Sequence, residues 1–341
     1  MLMESLMNLF RDLRRLGATL LAPVALSAAL LSACGGGTSQ VEPFIPERLI
    51  VLGDESSVIE ADGRKYAMND ERNAVVAARC LDLPTIAQMV ASQYGFVFEQ
   101  CNPTGAVPKA FIAAVKGAQV GDPGTGLLFQ MARVQVLTGT ALGEKDLVTV
   151  MIGTNDIIDL YQSVQAGRLT SAEAVDQAKS RGKLAAAQIS ALLATGAKAL
   201  VMTVPDLSQS PYATAAAKLD PNARTLLHDL SYDYNGSLRT SITPNDGRYF
   251  GLVLADDAVA AAVSSPSSYL AAPANVTDAA CTTPTSALIT NCVITNDPAT
   301  TTLVTGATAD NYLWAGDRYL GPVAQNRVGQ LAQSRAINNP L

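Results

Sequence analysis

Short apolar runs alternate with helical patterns along the chain from about residue 48. Five of the runs indicate β-strands, because each is short, apolar and bounded by turn residues. They are residues 49–52, 96–98, 147–152, 199–204 and 249–254. Their near-continuous apolarity is typical of strands buried on both faces, as in a parallel sheet.

Helical patterns lie between and after these strands. Thr170 and Glu173 form a capping-box signature for a helix that we expect to end near Gly196. A second helical stretch covers residues 213–242, broken near Pro221, and a last helix carries Ala324, Val328 and Leu331 on one face. The alternation predicts an α/β fold: a three-layer α/β/α sandwich around a mostly parallel, flavodoxin-like sheet, with ligands outside the carboxyl ends of the strands.

The first 33 residues have the pattern of a signal peptide. Three arginines between residues 11 and 15 precede an apolar run, residues 16–31, that is short for a membrane span and ends in small residues. The run closes with Leu31-Ser32-Ala33-Cys34-Gly35, which resembles the bacterial lipobox. This resemblance implies that Cys34 carries a diacylglyceryl group and becomes the first residue. An ordinary cleaved signal or an uncleaved anchor remains open.

Residues 34–47 are rich in Gly, Ser, Thr and Pro and indicate a flexible tether. A single domain then covers residues 48–341, with a loop excursion at about 264–309. We therefore expect an exported protein, anchored in the bacterial cell envelope by lipid on Cys34, in the outer membrane if the cell is Gram-negative.

Composition limits the partners. With 48% hydrophobic residues, 16% charged residues and a net charge of -6, the chain has the make-up of a globular protein. It lacks a basic stripe, so we expect no nucleic-acid binding. An acidic body does not itself seek anionic lipid, so acyl chains would provide the attachment. We expect a monomer.

Export also bears on the four other cysteines, because an oxidising compartment favours disulfides. Four cysteines allow three connectivities. We favour Cys80 with Cys101 and Cys281 with Cys292, since these pairs close short local loops. A zinc site is the alternative, but neither a CxxC spacing nor a nearby histidine supports it. We expect no metal and no cofactor.

Three short motifs lie where strands end and loops converge. Gly53-Asp54-Glu55-Ser56-Ser57 follows the first strand, Gly117-Ala118 lies in the next loop region, and Gly153-Thr154-Asn155-Asp156 follows the strand at 147–152. Taken singly, each is a common turn or helix cap.

In this order the motifs resemble the SGNH/GDSL hydrolase family, whose blocks are Gly-Asp-Ser, a backbone glycine, Gly-x-Asn-Asp and a final Asp-x-x-His. The resemblance covers about residues 48–332. It implies a metal-independent esterase or lipase in which a serine attacks an acyl carbonyl and a histidine, oriented by an aspartate, takes the proton. It also implies Gly117 and Asn155 as oxyanion donors, with Gly53, Asp54 and Asp156 as supporting residues.

The chain departs from this pattern at each triad position. Glu55 stands where the family has serine, and Tyr319 stands where it has histidine. Gly316 stands at the aspartate position, with Asp317 one residue later. Tyrosine is a poor general base, because its pKa is near ~10.

Three hypotheses follow. The first is an impaired family member that binds an acyl ester, another small molecule or a partner through the old pocket. The second is an active ester hydrolase with a rearranged set: Ser56 or Ser57 as displaced nucleophile with His228, the sole histidine, or Glu55 as a base for water. The third is a structural envelope component.

Overall fold

A computed structural model describes residues 44–285 and 287–338, so the predicted signal peptide and Cys34 lie outside the described residues. The strands are β1 (Arg48–Gly53), β2 (Asn69–Asp70), β3 (Ala110–Ile112), β4 (Asp146–Met151), β5 (Lys198–Met202), β6 (Phe250–Val253), β7 (Asn275–Ala279), β8 (Val293–Ile294) and β9 (Tyr312–Trp314). The α-helices are α1 (Ile86–Gln93), α2 (Leu127–Thr138), α3 (Thr154–Gln165), α4 (Ser171–Leu193), α5 (Pro211–Ala216), α6 (Ala223–Ser241), α7 (Ala255–Ser264) and α8 (Pro322–Asn338). Within the described ranges, none of these helices is long and apolar enough to cross a bilayer.

The central sheet has five strands in the order β3-β1-β4-β5-β6, and every neighbouring pair is parallel. Consecutive side chains of β1 enter opposite layers, because successive residues of a strand point to opposite faces. Leu49 and Val51 pack with α1, α7 and α8, whereas Ile50 and Leu52 pack with α2, α3, α4 and α6. All four are fully buried, which confirms the predicted three-layer sandwich.

Four of the five predicted strands are confirmed, but the one at residues 96–98 is wrong. The strand at this edge of the sheet, next to β1, is β3. Phe98 makes only an isolated bridge to Ala110. Phe98 is instead a buried side chain of the α1 layer, followed at once by a 3-10 turn, Glu99–Cys101. Its apolarity therefore reflects side-chain packing against the core, which a short run shares with a strand.

The helix predictions hold more closely. The Thr170–Glu173 capping box is present at the start of α4, and the break near Pro221 separates α5 from α6. In α8, Ala324 and Val328 are buried as predicted, whereas Leu331 is only partly buried.

The excursion at 264–309 contains more regular structure than a loop. Its β7 pairs with β9, and its β8 pairs with β2. The disulfide Cys281–Cys292 closes it, and Cys80–Cys101 forms the second bridge, with Cα atoms 5.5 and 5.4 Å apart. Both pairings are as predicted. The excursion builds a third, small core that includes the side chain of Tyr319.

A buried tyrosine fixes the end of β4. The Tyr234 hydroxyl donates to the Ile152 carbonyl oxygen at 2.8 Å. A Cβ at Gly153, where φ is +129°, would lie 2.4 Å from the Tyr234 ring, so this close approach requires glycine. Helix α3 starts immediately afterwards, and Tyr234 therefore sets the position of Asn155.

Replacing Tyr234 by phenylalanine tests this anchor. The variant leaves the buried Ile152 carbonyl without the hydroxyl donor, which we expect to lower the free energy of unfolding by about 1–3 kcal/mol. Urea denaturation measures it. Tyr232→Phe is the matched control on the same helix, because Tyr232 is 70% exposed. Equal stabilities of the two variants would contradict the anchoring role.

Candidate active site

Steric limits at Gly53 and hydrogen bonds to backbone groups hold the turn at the end of β1 in place. Gly53 has φ +143°, and an added Cβ would lie 2.1 Å from the Met151 carbonyl oxygen. The Gln130 side chain accepts from Gly53 N at 2.7 Å and donates to Gly53 O at 2.8 Å. Asp54 then caps the short helix Glu55–Ser57 by accepting from Ser56 N at 3.0 Å. These contacts fix the direction in which Glu55 leaves the sheet.

Glu55 brings the predicted site residues together. Its Oε2 accepts from Gly117 N at 2.9 Å and from Asn155 Nδ2 at 2.8 Å. Its Oε1 accepts from the Tyr319 hydroxyl at 2.8 Å. Glu55 is 2% exposed. A single buried carboxylate therefore sits on the two residues that the family resemblance assigns as oxyanion donors.

The carboxylate is held in its ionised form. Burial acts to raise the pKa of Glu55, but hydrogen bonds outweigh it and the pKa is lowered. The bonds come from Asn155, the backbone amide of Glu55 itself, Gly117 and Tyr319. The backbone amide at position 55, the Gly117 amide and the Asn155 side chain therefore all act on this one carboxylate.

The pKa values of the neighbouring Asp54 and Tyr319 are raised, whereas that of Glu55 is lowered. Burial, and after it the charge of Glu55, raises the pKa of Asp54 to about 7. Burial and the same charge raise the pKa of Tyr319 above its usual value. Tyr319 is therefore a proton donor in a hydrogen bond and is poorly suited to act as a base.

The position of the orienting aspartate is closed. A Cβ at Gly316 would lie 2.5 Å from the Pro284 carbonyl oxygen and 2.9 Å from Tyr319 Cδ2. Asp317, one residue later, faces Arg318, with Oδ2 3.1 Å from Nη1. Its backbone oxygen accepts from Tyr212 N at 2.8 Å, so it serves the packing of the last loop on α5.

Among the described residues, Arg318 supplies the cation closest to Glu55. Its Nη2 lies 3.9 Å from Glu55 Oε1, and its guanidinium lies 5.3 Å from the centre of the Tyr319 ring. Its Nε is buried without a hydrogen-bond partner. Arg318 therefore adds long-range stabilisation to the carboxylate without a direct hydrogen bond.

Asp156 ties the two donor segments together. It accepts from Val120 N at 3.1 Å, and its Oδ1 lies 3.6 Å from Arg181 Nη1. Burial raises the pKa of Asp156 to about 6. The contact links α3, which carries Asn155, to the loop that carries Gly117.

The rearranged serine and histidine set is not assembled. His228 pairs with Asp206, Nδ1 to Oδ2 at 2.7 Å, on the exposed side of α6. Among the described residues, neither a hydrogen bond nor an ion pair joins His228 to Ser56, Ser57 or Glu55. The same part of the chain holds no group of three His, Cys, Asp or Glu side chains arranged for a metal.

Sequence reasoning missed Gln130 and Arg318. Gln130 had a readable signal, because it shares the buried face of α2 with Leu127 and Val134, where a polar residue needs a partner. Arg318 had none, since its proximity to Glu55 depends on the excursion that carries the last loop.

A family model described as GDSL-like Lipase/Acylhydrolase matches residues 74–244, about half of the chain. The chain belongs to this family. The matched GDSL region includes Gly117, Asn155 and Asp156, whereas Glu55 and Tyr319 lie outside it. The two residues that the resemblance implies as oxyanion donors thus fall within the GDSL match, and Glu55 and Tyr319 fall beyond it.

Solved structures similar to this GDSL chain include a phospholipase A1 from Streptomyces albidoflavus NA297, with 14% identity, 84% of this chain and 97% of that chain covered, and a TM-score of 0.39. Another is LAE5, an alpha/beta hydrolase enzyme from the metagenome of Lake Arreo, Spain, with 12% identity, 70% and 90% covered, and a TM-score of 0.34. No curated protein matches by sequence.

Asp54→Asn tests the electrostatics of the site. The raised pKa means that folded Asp54 holds its proton where the unfolded chain has lost it, so native stability falls as pH rises from about 4 to 7. Asparagine keeps the Oδ1 acceptor and removes this dependence. We expect the variant to gain up to ~4 kcal/mol over the native protein across that range and nothing further above it.

Urea denaturation at several pH values measures the difference. Asp176→Asn, at an exposed position on α4, is the control. Parallel stability curves for native protein and Asp54→Asn would show that Asp54 titrates normally.

Proposed function

We propose that this chain is a GDSL-family protein in which ester hydrolysis is lost or severely impaired, because its own Glu55 carboxylate occupies the oxyanion donors. The contacts of Glu55 Oε2 with Gly117 N and Asn155 Nδ2 carry this proposal. In a working hydrolase these donors stabilise the negative charge that develops on the acyl oxygen. Here they already hold a negative charge.

The groups that would do the chemistry support the same proposal. A serine hydroxyl needs an adjacent base, and the family positions for both are Glu55 and Tyr319. Glu55 as a base for water is disfavoured, since its lowered pKa makes it a weak base and both of its oxygens accept hydrogen bonds. Tyr319 keeps its proton.

A ligand for the old pocket would have to compete with Glu55. A carbonyl or carboxylate group could use the donors only after the Glu55 side chain moves. That movement would leave the buried Glu55 carboxylate without its hydrogen-bond donors, which is costly. We therefore propose that the family pocket is retained as an oxyanion-type site for a ligand or partner, and that Glu55 competes with the ligand for its donors.

Hydrolysis of p-nitrophenyl acetate tests the proposal. We expect the native protein to match the buffer background. The double variant Glu55→Ser, Tyr319→His should exceed native turnover by about 10²-fold, the usual effect of one oxyanion donor, because the new serine no longer occupies the donors. No aspartate orients the new histidine, so we expect no larger gain. Glu55→Gln is the isosteric control and should stay at background. Native turnover that disappears in Glu55→Gln would instead identify a hydrolase with an unfamiliar catalytic set.

We further propose that the protein is exported and held in the cell envelope by lipid on Cys34. The lipobox-like residues 31–35 support this proposal, and two disulfides in the domain suit an oxidising compartment.

Mass spectrometry of the N-terminal peptide and membrane fractionation test the anchor. We expect the native peptide to carry acyl chains on Cys34 and the protein to sediment with membranes. Cys34→Ser should lose both properties, because no thiol accepts the lipid. Thr38→Ser, in the tether, is the control. An unmodified Cys34 in the native protein would refute the anchor.

A further inference from the structure

Helix α2 leaves an apolar face exposed. Two neighbouring rows at i, i+4 and i+8 form it: Leu128, Ala132 and Val136, and Phe129, Arg133 and Leu137. We call these six residues the α2 face. Val136 is 84% exposed and Leu128 57%, while the other side of the helix is buried through Leu127, Gln130 and Val134. A contiguous exposed apolar surface of this kind commonly marks an interaction site.

The one charged residue of the α2 face is unpaired. Arg133 forms neither a hydrogen bond nor an ion pair with another described residue. It lies between Phe129 and Leu137 in its row. Helices that lie in a membrane interface combine apolar side chains with basic ones, whose stems lie along the apolar surface while the charged ends reach lipid phosphates. Arg133 provides such a cation within an otherwise acidic protein.

The α2 face ends where the tether joins the domain. Arg48, at the start of β1, donates from Nη1 to Thr138 Oγ1 at 2.7 Å and from Nη2 to the Ala141 carbonyl oxygen at 2.8 Å. These bonds fix the carboxyl end of α2 to the amino end of β1. The described chain begins four residues before Arg48, at Phe44, whose side chain packs with the layer of α1, α7 and α8.

The length of the tether limits how far the domain can lie from the proposed attachment point. Ten residues lead from Cys34 to Phe44 and span at most about 35 Å when extended. Helix α2 is only about 18 Å long. A membrane that holds Cys34 therefore lies within about 35 Å of Phe44. Tethering of this kind turns a weak surface contact into an intramolecular one with a high effective concentration.

We propose that the α2 face docks on the phospholipid surface of the membrane to which Cys34 attaches the protein. Leu128, Phe129, Val136 and Leu137 lie at the headgroup boundary, and Arg133 binds lipid phosphates. This inference rests on the proposed lipid attachment at Cys34 and adds a fixed orientation to it. The contact needs the tether, because the net charge of -6 opposes independent binding to anionic lipid.

A fluorescent label tests the docking on the full-length lipidated protein. Cys80, Cys101, Cys281 and Cys292 are in disulfides and Cys34 carries lipid, so an added thiol takes the label alone. The label goes on Val136→Cys, and the control is Leu219→Cys. Leu219 is 91% exposed and follows α5, beyond the carboxyl end of β5. The vesicles contain phosphatidylethanolamine and phosphatidylglycerol, with or without nitroxide groups on the acyl chains.

We expect the Val136→Cys label to shift its emission to shorter wavelength on vesicles and to be quenched by the nitroxide lipids. The Leu219→Cys label should remain as in water. Adding Arg133→Glu and Leu137→Asp should abolish the shift and leave the melting temperature unchanged. A water-like Val136→Cys label on protein whose Cys34 is acylated by mass overturns the docking. So does a shift that appears without vesicles and grows with protein concentration, which identifies a second copy as the occupant.

The proposed lipid anchor and the proposed membrane docking can be refuted independently of each other. If mass spectrometry finds Cys34 unmodified, both label variants also carry Cys34→Ser, so that the added thiol again takes the label alone. They are then read on the full chain held to nickel-chelating lipid in these vesicles by a histidine tag before residue 34. A shift confined to Val136→Cys then supports docking although the lipid anchor is refuted, and water-like emission from both labels overturns it.

Discussion

The hydrogen-bonded carboxylate of Glu55 is the constraint on which this site depends. Gly117, Asn155 and Tyr319 come from three separate stretches of the chain, and each donates to it. A buried charge is tolerated only when hydrogen bonds replace the water it has lost. The loop after β3, the start of α3 and the loop after β9 are therefore held in register by one side chain. Burial, and after it the charge of Glu55, raises the pKa of Asp54 beside it.

Much of the fold is legible in the sequence because burial on both faces of a parallel sheet leaves an unbroken apolar run. That rule found β1, β4, β5 and β6 and failed at Phe98, where a buried side chain outside the sheet has the same apolarity. The capping box of α4 was equally readable, since it depends on local hydrogen bonds.

The sequence predicted which residues meet at the candidate site but not how their side chains are hydrogen-bonded there. The order of the motifs placed Glu55, Gly117 and Asn155 at one edge of the sheet. Whether Glu55 would point to solvent or turn onto the donors depends on distances between distant segments, which spacing does not supply. The position of Tyr319 depends likewise on the disulfide-closed excursion, whose small core the sequence presented only as a loop.

The closed position at Gly316 limits what substitutions elsewhere in the site can restore. The Pro284 carbonyl stands where the Cβ of an aspartate would go. A variant with serine at position 55 and histidine at position 319 would still lack an aspartate at position 316, and the excursion would have to be rebuilt before that side chain could fit. The backbone of one loop thus keeps a complete Ser-His-Asp set out of reach of side-chain substitutions at positions 55 and 319 alone.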